Sequence, residues 1–537
     1  MKNRMLLLVL VPALLMCSLF FLGCGASSSS GGHGSNPFVA DIYVSPTGTD
    51  ESSDPTWGHS VSKPFRTIQK GLYTAMTGEV VGVLAGVYTE EVVWCPTWEY
   101  VTLRGVSKTT AVLHGKGSGP CILIEDLPQY RVVTIESMMI TKGAFPGSDG
   151  GGIRLSQDNI ILHLKDAIVT NNSASNGGGL FIKFPTDIVY VENCTFTSNE
   201  ASASGGGICQ DNGYLAITGS TFRYNTGNNG GGVSTKGGAA LGSCQFSDNS
   251  ASTYGGGLYI YGGNAYVAGC TFTRNSSSNS GGGIYDVGVT STIEACAFTS
   301  NSSSTGGGLH IEANAGNKLF VKQAVFTGNI ASAGDGGGIQ AANPIDIEQC
   351  YFVLNTAEAS GGGLAVSDLD EADVENCLFE GNYAATAGGG VHYSKSSDTT
   401  LLLMNCTVYG NYAGQGTGIY LSDGAEVSII NSIISGNYAD GGGGVMEIYD
   451  NGGGFTMSYN CFLPTNESGS YTSVEASNTT AGPLFVAAPI NLRLANACPV
   501  SITKGATTEG TPLPYYDLDG IIARTIPYSM GAYETNN

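Results

Sequence analysis

The chain has 537 residues, of which 80 are glycine, about twice the usual share, and only 12% are charged. The formal net charge is −22, with 44 acidic and 22 basic residues, which argues against extended basic patches and nucleic-acid binding. Because 42% of the residues are hydrophobic, the glycine does not mark a disordered chain, and a buried core can form.

The N-terminus has the pattern of a bacterial secretion signal, with two basic residues ahead of an apolar run at 5–22. The stretch Phe21-Leu22-Gly23-Cys24 resembles the lipobox of bacterial lipoproteins, which implies that residues 1–23 are removed and that Cys24 is lipidated. A transmembrane helix is the alternative, because the run is about long enough to span a membrane. Residues 24–40 are rich in Ser and Gly and are predicted to form a flexible tether. We expect a lipid-anchored protein at the bacterial outer membrane or cell surface.

A repeat of 25 to 30 residues organises the middle of the chain. Each repeat holds a Gly triplet followed by an aliphatic residue, and an apolar-x-x-Asn unit precedes nearly every triplet. A unit this short cannot bury its apolar side alone, so it must stack on its neighbours. The triplets with their aliphatic residues lie at 150–153, 177–180, 205–208, 230–233, 255–258, 281–284, 306–309, 336–339, 361–364 and 388–391.

Alternating residues and tight turns predict two or three short strands per repeat and leave no room for a long helix. The missing Leu-x-x-Leu-x-Leu frame and helical half argue against leucine-rich repeats, and the repeat is too short for a propeller blade. Nine-residue calcium-binding repeats have Asp after the glycines, whereas Ile, Leu or Val follows them here. The sequence therefore predicts an all-β fold, a parallel β-helix solenoid. Its predicted parts are an N-terminal cap with the first coils at 41–100, the β-helix repeats at 101–480 and a closing segment at 481–537.

Stacked coils give the repeated residues physical roles. The Asn residues are expected to stack into an amide ladder along the coils, formed by Asn199, Asn225, Asn249, Asn275, Asn301, Asn329, Asn355, Asn382, Asn411 and Asn437. Phe two residues after Cys points the same way as Cys, so both should face the interior. Buried free thiols are the favoured interpretation for Cys244, Cys270 and Cys296, which would stack, and disulfides between coils are the alternative.

Phe-x-x-Asn paired with Gly-Gly-Gly-aliphatic, over about residues 150–445, resembles the repeats of the chlamydial polymorphic outer membrane proteins. That resemblance implies a right-handed β-helix displayed at a cell surface, with a role in adhesion.

Both ends resemble known families too. Residues 43–48, 63–70 and 83–90 look like the opening cap of pectin-lyase-like proteins, which implies a short amphipathic helix from Thr67 to Met76. The closing segment is similar to that of choice-of-anchor Q surface proteins, which implies surface attachment; the similarity lies at 483–486, 492–494, 517–520 and 530–534.

Pectin-lyase-like folds host polysaccharide lyases and hydrolases, so catalytic sets were sought. The one Gly-His-Gly of the chain, residues 32–34, lies in the predicted tether and is attributed to chance. The nearest lyase-like group is His163 and Lys165 with Asp166, Arg154 and Lys183, for which solvated strand-face charges are the simpler interpretation. We therefore expect no catalytic residue.

One acidic stretch has the ligand types that Ca²⁺ prefers, but it lacks an EF-hand frame, and an exposed loop is the favoured interpretation. It comprises Asp368, Asp370, Glu371, Asp373 and Glu375. We expect no metal site and no cofactor.

The best hint of a binding site comes from the aromatic residues ahead of the repeats, Trp57, Trp94, Trp98 and Tyr100. Their rings could stack on a glycan or anchor a partner, and packing of the cap explains them equally well.

Together these features predict a monomeric, lipid-anchored β-helix at the cell surface. Its predicted role is structural or adhesive display, or the binding of a glycan or another cell-surface ligand, without catalysis. The alternative is a polysaccharide lyase or glycoside hydrolase acting on an acidic polysaccharide.

Overall fold

The computed structural model describes residues 38–494 with gaps, and it divides the chain into units of residues 1–39 and 40–537, of which the second is treated below. The predictions for Cys24, Trp98, Asp368 and Asp370 lie outside the described residues, as does most of the closing segment. The described ranges are 38–51, 53–94, 100–125, 131–312, 318–342, 344–367, 371–394, 400–422, 426–439, 447–451, 454–458, 467–468, 471–474, 485–487 and 491–494.

A regular coil contains four strands, as in the coil built from Ile188–Glu192, Thr195–Thr197, Glu200–Ser204 and Ile208–Gln210. Each strand pairs in parallel with its equivalent in the next coil, so that Phe196 lies opposite Phe222. The fold is thus the predicted all-β, right-handed parallel β-helix. Two or three strands per repeat were expected; there are four because the buried Asn and the Gly triplet each start a new strand.

Four parallel sheets result, numbered in the order in which the chain visits them. The first sheet contains Ile42–Val44, Val80–Val83, Val101–Gly105, Arg131–Glu136, Ile160–Lys165, Ile188–Glu192, Tyr214–Thr218, Gly238–Gly242, Ala265–Ala268, Ser291–Glu294, Leu319–Lys322, Ile345–Glu348, Glu371–Glu375, Thr400–Met404, Glu426–Ile430, Gly454–Ser458 and Tyr471–Val474. The second contains Gly86–Thr89, Ala111–His114, Met139–Thr141, Ile168–Thr170, Thr195–Thr197, Thr221–Arg223, Gln245–Ser247, Thr271–Thr273, Ala297–Thr299, Val325–Thr327, Tyr351–Val353, Leu378–Glu380, Thr407–Tyr409 and Ile433–Ser435.

The third and fourth sheets flank the Gly triplets. The third contains Ala144–Phe145, Ser173–Asn176, Glu200–Ser204, Thr226–Asn229, Ser250–Tyr254, Ser276–Ser277, Ser302–Ser303, Ile330–Ala331, Thr356–Ala357, Tyr383–Ala387, Tyr412–Gln415 and Tyr438–Ala439. The fourth contains Val92–Trp94, Ile122–Ile124, Ile153–Leu155, Leu180–Ile182, Ile208–Gln210, Val233–Thr235, Leu258–Tyr261, Ile284–Val287, Leu309–Ile311, Ile339–Ala341, Leu364–Ser367, Val391–Ser394, Ile419–Leu421, Ile448–Asp450 and Glu467–Ser468. Phe485–Ala487 and Asn491–Leu494 form a separate antiparallel pair.

Helix α1, Ile68–Thr74, covers the first coils, close to the helix expected from Thr67 to Met76. Thr67 caps it, because its Oγ1 accepts a hydrogen bond from the Lys70 amide at 3.1 Å. The buried Glu90 carboxylate accepts from the Ile68 and Gln69 amides at 2.9 and 3.1 Å, which satisfies two more free amides of the first turn. Leu72 is fully buried against the core.

Columns of identical side chains fill the interior. Eight fully buried Phe rings stack with centroids 4.5 to 5.1 Å apart, each pair adding about 0.5–1.5 kcal/mol beyond burial. They are Phe196, Phe222, Phe246, Phe272, Phe298, Phe326, Phe352 and Phe379.

The nine described cysteines are free and buried, which agrees with the free-thiol interpretation. Cys244, Cys270 and Cys296 occupy one column, and the Cys244 amide lies 3.4 Å from the Cys270 sulfur. Burial raises the pKa of Cys121 and of Cys194 to about 12, so these groups remain neutral thiols at ordinary pH.

The predicted Asn residues form a continuous buried chain, here called the asparagine ladder. Asn301 shows the pattern: its Nδ2 donates to Asn329 Oδ1 and to the Phe272 carbonyl, both at 2.9 Å. Its Oδ1 accepts from the Nδ2 and the amide of Asn275 at 3.1 and 3.0 Å. The ladder runs beyond the expected range, from Asn172 to a final hydrogen bond between Asn437 and Glu447.

We expect Asn301→Ala to lower the free energy of unfolding by about 3 kcal/mol or more, because it leaves several buried donors and acceptors without partners. Urea unfolding, with hydrogen exchange of the flanking coils, measures the effect. Asn264→Ala, at an exposed turn, is the control. Equal stability of the two variants would show that the ladder contributes little.

Candidate functional site

The chain turns sharply at each Gly triplet, between the third and fourth strands, and we call this turn the glycine corner. The first Gly of each triplet from 150 to 388 has a φ between 61° and 72°, a conformation that favours glycine. A Cβ on Gly306 would lie 2.6 Å from the His310 Cβ, and one on Gly361 would lie 2.5 Å from the Ala365 Cβ. The first Gly of these triplets therefore lies directly against the central, outward residue of a fourth-sheet strand. The preceding residue can reach the same position, as Thr305 does to His310 and Tyr254 to Tyr259.

Aromatic residues gather at this corner in three successive coils, tyrosines in the first two and His310 in the third. Tyr254, just before its triplet, lies with its ring centroid 4.5 Å from that of Tyr285 and 6.2 Å from that of Tyr259. Tyr259 and Tyr261 lie two residues apart on one strand with their rings parallel and 6.0 Å apart. Tyr285 stacks on His310 at 5.2 Å with an interplanar angle of 4°. An aromatic surface thus runs along the corner.

A carboxylate completes the group. Glu312 Oε2 accepts from the Tyr285 hydroxyl at 3.0 Å and lies 3.3 Å from His310 Nε2, while His310 Nδ1 lies 2.9 Å from Thr305 Oγ1. The hydrogen bond from His310 lowers the pKa of Glu312, and that from Tyr285 acts in the same direction, so Glu312 is ionised at neutral pH. We define the tyrosine cluster as Tyr254, Tyr259, Tyr261, Tyr285, His310 and Glu312.

The tyrosine cluster has a buried part and a solvent-accessible part. Tyr285 and His310 are 5% and 9% exposed, whereas Tyr261 is 48% exposed. Burial raises the pKa of Tyr259 to about 12, and burial together with Glu312 raises that of Tyr285 further, so both hydroxyls stay protonated. The cluster therefore offers ring surface, hydroxyl groups and an ionised acceptor, which is the chemistry that recognises a polyhydroxylated ligand.

Of the aromatic residues singled out in the sequence, Trp57, Trp94 and Tyr100 are described, and they differ in their exposure. Trp94 is 1% exposed in the core, and Trp57 is partly buried against the core with its Nε1 donating to the Pro64 carbonyl at 2.8 Å. Tyr100 is 57% exposed. For Trp94 this placement agrees with packing of the first coils, the alternative interpretation.

The lyase-like group is divided between sheets. His163 and Lys165 point outward from the first sheet, where His163 stacks on Tyr190 at 4.9 Å. Arg154 instead belongs to the fourth sheet and donates to Ser148 Oγ at 2.9 Å. Burial lowers the pKa of His163, and the positive charge of Lys165 lowers it further. These residues therefore do not converge on one bond of a substrate.

Two members of the acidic stretch, Asp373 and Glu375, lie on the outward face of the first sheet beside Asp346 and Glu348 of the preceding coil. Lys318 and Lys322 pair with these neighbours at 2.7 and 2.9 Å. Burial, and then the charge of Glu348, raises the pKa of Glu375. Across the described ranges, no group of three or more His, Cys, Asp or Glu side chains has a metal-binding arrangement.

Reasoning from the sequence missed the tyrosine cluster, although a signal was present. Tyr259, Tyr285 and His310 each stand four residues after the first Gly of their triplet, and Tyr254 immediately precedes one. Aligning the repeats on their triplets would have shown a column of aromatic residues in successive coils.

The comparisons with known proteins agree with the fold. A family model described as a right-handed beta helix region matches residues 85–276 and 257–417. None of the curated proteins matches the chain. Within the described ranges, no helix has the length and apolar character needed to cross a membrane.

Two solved structures are similar to the chain. One is the catalytic unit of the thermostable GH87 alpha-1,3-glucanase from Streptomyces thermodiastaticus strain HF3-3, 13% identical with a TM-score of 0.29, which covers 75% of this chain. The chain spans 65% of the length of that catalytic unit. The other is pectate lyase Pel9A, 12% identical with a TM-score of 0.24, covering 92% of this chain and 96% of that one. Similarity at this level says nothing about activity.

We expect alkaline pH to destabilise the protein partly through Tyr259. The Tyr259 hydroxyl has a pKa of about 12 in the folded chain and about 10 when unfolded, so the unfolded chain loses its proton first. The free energy of unfolding should be insensitive to this group below pH 10 and should fall as the pH rises from about 10 to 12. In urea unfolding across this range, Tyr259→Phe should weaken the pH dependence, whereas the exposed Tyr224→Phe should not. The same pH dependence in wild type and Tyr259→Phe would contradict the expectation.

Proposed function

Since the chain belongs to the right-handed beta helix family, we propose that it is a lipid-anchored cell-surface protein that binds a glycan at the glycine corner without cleaving it. The observation that carries this proposal is the tyrosine cluster, with its ring surface, protonated hydroxyls and the ionised Glu312. Tyr and a carboxylate on rigid strands suit sugar rings, which present both apolar faces and hydroxyl groups.

Three features of the cluster support binding without catalysis. The Tyr285 hydroxyl is buried and has a raised pKa, so it does not act as a base at neutral pH. Glu312 is ionised, but Tyr285 and His310 already contact its Oε2. Glu312 is also the one carboxylate in the cluster, whereas glycoside hydrolysis ordinarily uses a pair.

We expect the purified protein to retain at least one polysaccharide in affinity electrophoresis against a panel of neutral, amino-substituted and acidic polysaccharides. Tyr254→Ala combined with Tyr259→Ala should weaken that retention by about tenfold, because two ring contacts are lost. Tyr73→Ala, on the exposed side of α1, is the matched control.

Two results would contradict this proposal. Retention of none of the polysaccharides would refute glycan binding. Reproducible shortening of an acidic polysaccharide, with or without Ca²⁺, would favour the alternative of a lyase or hydrolase.

The anchor is a separate part of the proposal and rests on the lipobox-like stretch ending at Cys24. We expect Cys24→Ala to move the protein from the membrane fraction to the soluble fraction, because the acyl chains would have no attachment site. Cys17→Ala, within the apolar run, is the control. Unchanged membrane association of Cys24→Ala would refute lipidation at this residue.

A further inference from the structure

A second aromatic group lies on the same outward face of the fourth sheet. His392 stacks on Tyr420, and Tyr420 on Tyr449, each pair with centroids 5.1 Å apart. His392 stands four residues after the first Gly of its triplet, and Tyr420 four residues after Gly416 of the degenerate Gly-Thr-Gly copy. This is the position that Tyr259, Tyr285 and His310 occupy in their own coils. We call this group the second platform.

Strand register places the two aromatic groups on one line. His310 lies opposite Gln340, Gln340 opposite Ala365, and Ala365 opposite His392. Two coils without an aromatic ring at this position therefore separate the tyrosine cluster from the second platform.

The intervening coils carry a polar group without a protein partner. Gln340 is 8% exposed, and its Nε2 donates to Ser367 Oγ at 3.1 Å. Its Oε1 accepts no hydrogen bond within the described chain. A buried amide oxygen usually has a partner, and a ligand hydroxyl lying along the corner would supply one.

Charge along this line limits the class of ligand. From Tyr254 to Tyr449, the described residues immediately before each triplet and those at the central outward position of the fourth sheet include no Lys or Arg. Glu312 and Asp335 supply negative charge beside the two aromatic groups, and Asp335 interacts with His392. A polyanionic glycan would meet repulsion here without a compensating cation.

We infer that the glycine corner binds one extended glycan that is neutral or amino-substituted and that lies across both the tyrosine cluster and the second platform. This inference rests on the proposed function. Seven coil steps separate Tyr259 from Tyr449, about 34 Å at the usual strand spacing. The nearest rings of the two groups, His310 and His392, are three coil steps apart, about 14 Å. Because a sugar unit is similar in length to one coil step, contact with both groups begins at about four units, and a chain of about seven units would cover every ring, with Gln340 near its middle.

The test measures affinity by calorimetry for N-acetylglucosamine oligomers and β-1,4-glucan oligomers from two to eight units long, with oligogalacturonides as the acidic series. Affinity should rise more than tenfold between three and seven units, because the second contact becomes intramolecular. Tyr420→Ala combined with Tyr449→Ala should abolish that rise and leave the affinity for short oligomers unchanged.

The matched control is Tyr412→Ala combined with Tyr438→Ala, a pair stacked at 5.1 Å on the third sheet of neighbouring coils. Gln340→Leu, which removes the amide oxygen, should lower the affinity for the long oligomers alone. This single variant tests the same inference if Tyr420→Ala combined with Tyr449→Ala does not fold.

The outcomes separate this inference from the proposed function. Equal affinity for short and long oligomers, or a length effect that survives Tyr420→Ala with Tyr449→Ala, would overturn the inference and leave glycan binding intact. Tighter binding of oligogalacturonides would overturn the assigned charge of the ligand. Binding of no oligomer, together with failure of the wider polysaccharide panel, would overturn both.

Discussion

From Asn172 to Asn437, the geometry of each coil depends on one buried side-chain amide at the corner between the second and third strands. Each Asn bonds to the preceding coil through the Asn Oδ1 and to the following coil through Nδ2, so that Asn301 joins Asn275 to Asn329. The amides point the same way, and their donors run toward Glu447, whose buried carboxylate accepts from Asn437. Burial raises the pKa of Glu447, whereas the hydrogen bonds from Asn437 lower it. A buried amide satisfied on both sides fixes the spacing and register of its neighbours, since any slip leaves polar groups without partners.

Fixed register is what makes the outer face useful. Once the ladder and the Phe column hold equivalent residues in line, a side chain four residues after the first Gly of a triplet recurs at the same place in every coil. Tyr285 can therefore stack on His310 at 5.2 Å although they lie a full repeat apart in the sequence. The Gly triplet is the second requirement for this outer face. Only glycine leaves room for the chain to turn so closely against the outward side chains of the fourth sheet.

The sequence was sufficient for the fold because its signals repeat. Apolar-x-x-Asn and the Gly triplets recur every 25 to 30 residues, and a parallel β-helix fits that pattern better than leucine-rich, propeller or nine-residue calcium-binding repeats. Details that occur once were not predictable in the same way. Glu447 follows a degenerate repeat, so nothing in the local sequence marks it as the partner of Asn437. Trp94 was considered a binding residue only because of its residue type. It is buried because the next coil stacks on its strand, which the local sequence does not reveal.

The tyrosine cluster is intermediate between the features that repeat in every coil and those that occur once. Its members have fixed positions relative to the triplets but occupy few coils, and Cys209, Ser234 and Ala365 fill the same position elsewhere. The fold tolerates this variety because the outward residue takes no part in the ladder or the core. A residue that the scaffold leaves unconstrained can be selected by a ligand. Rings in three consecutive coils, at Tyr259, Tyr285 and His310, follow the small Cys209 and Ser234 at the same position and are therefore a feature that the repeat itself does not require.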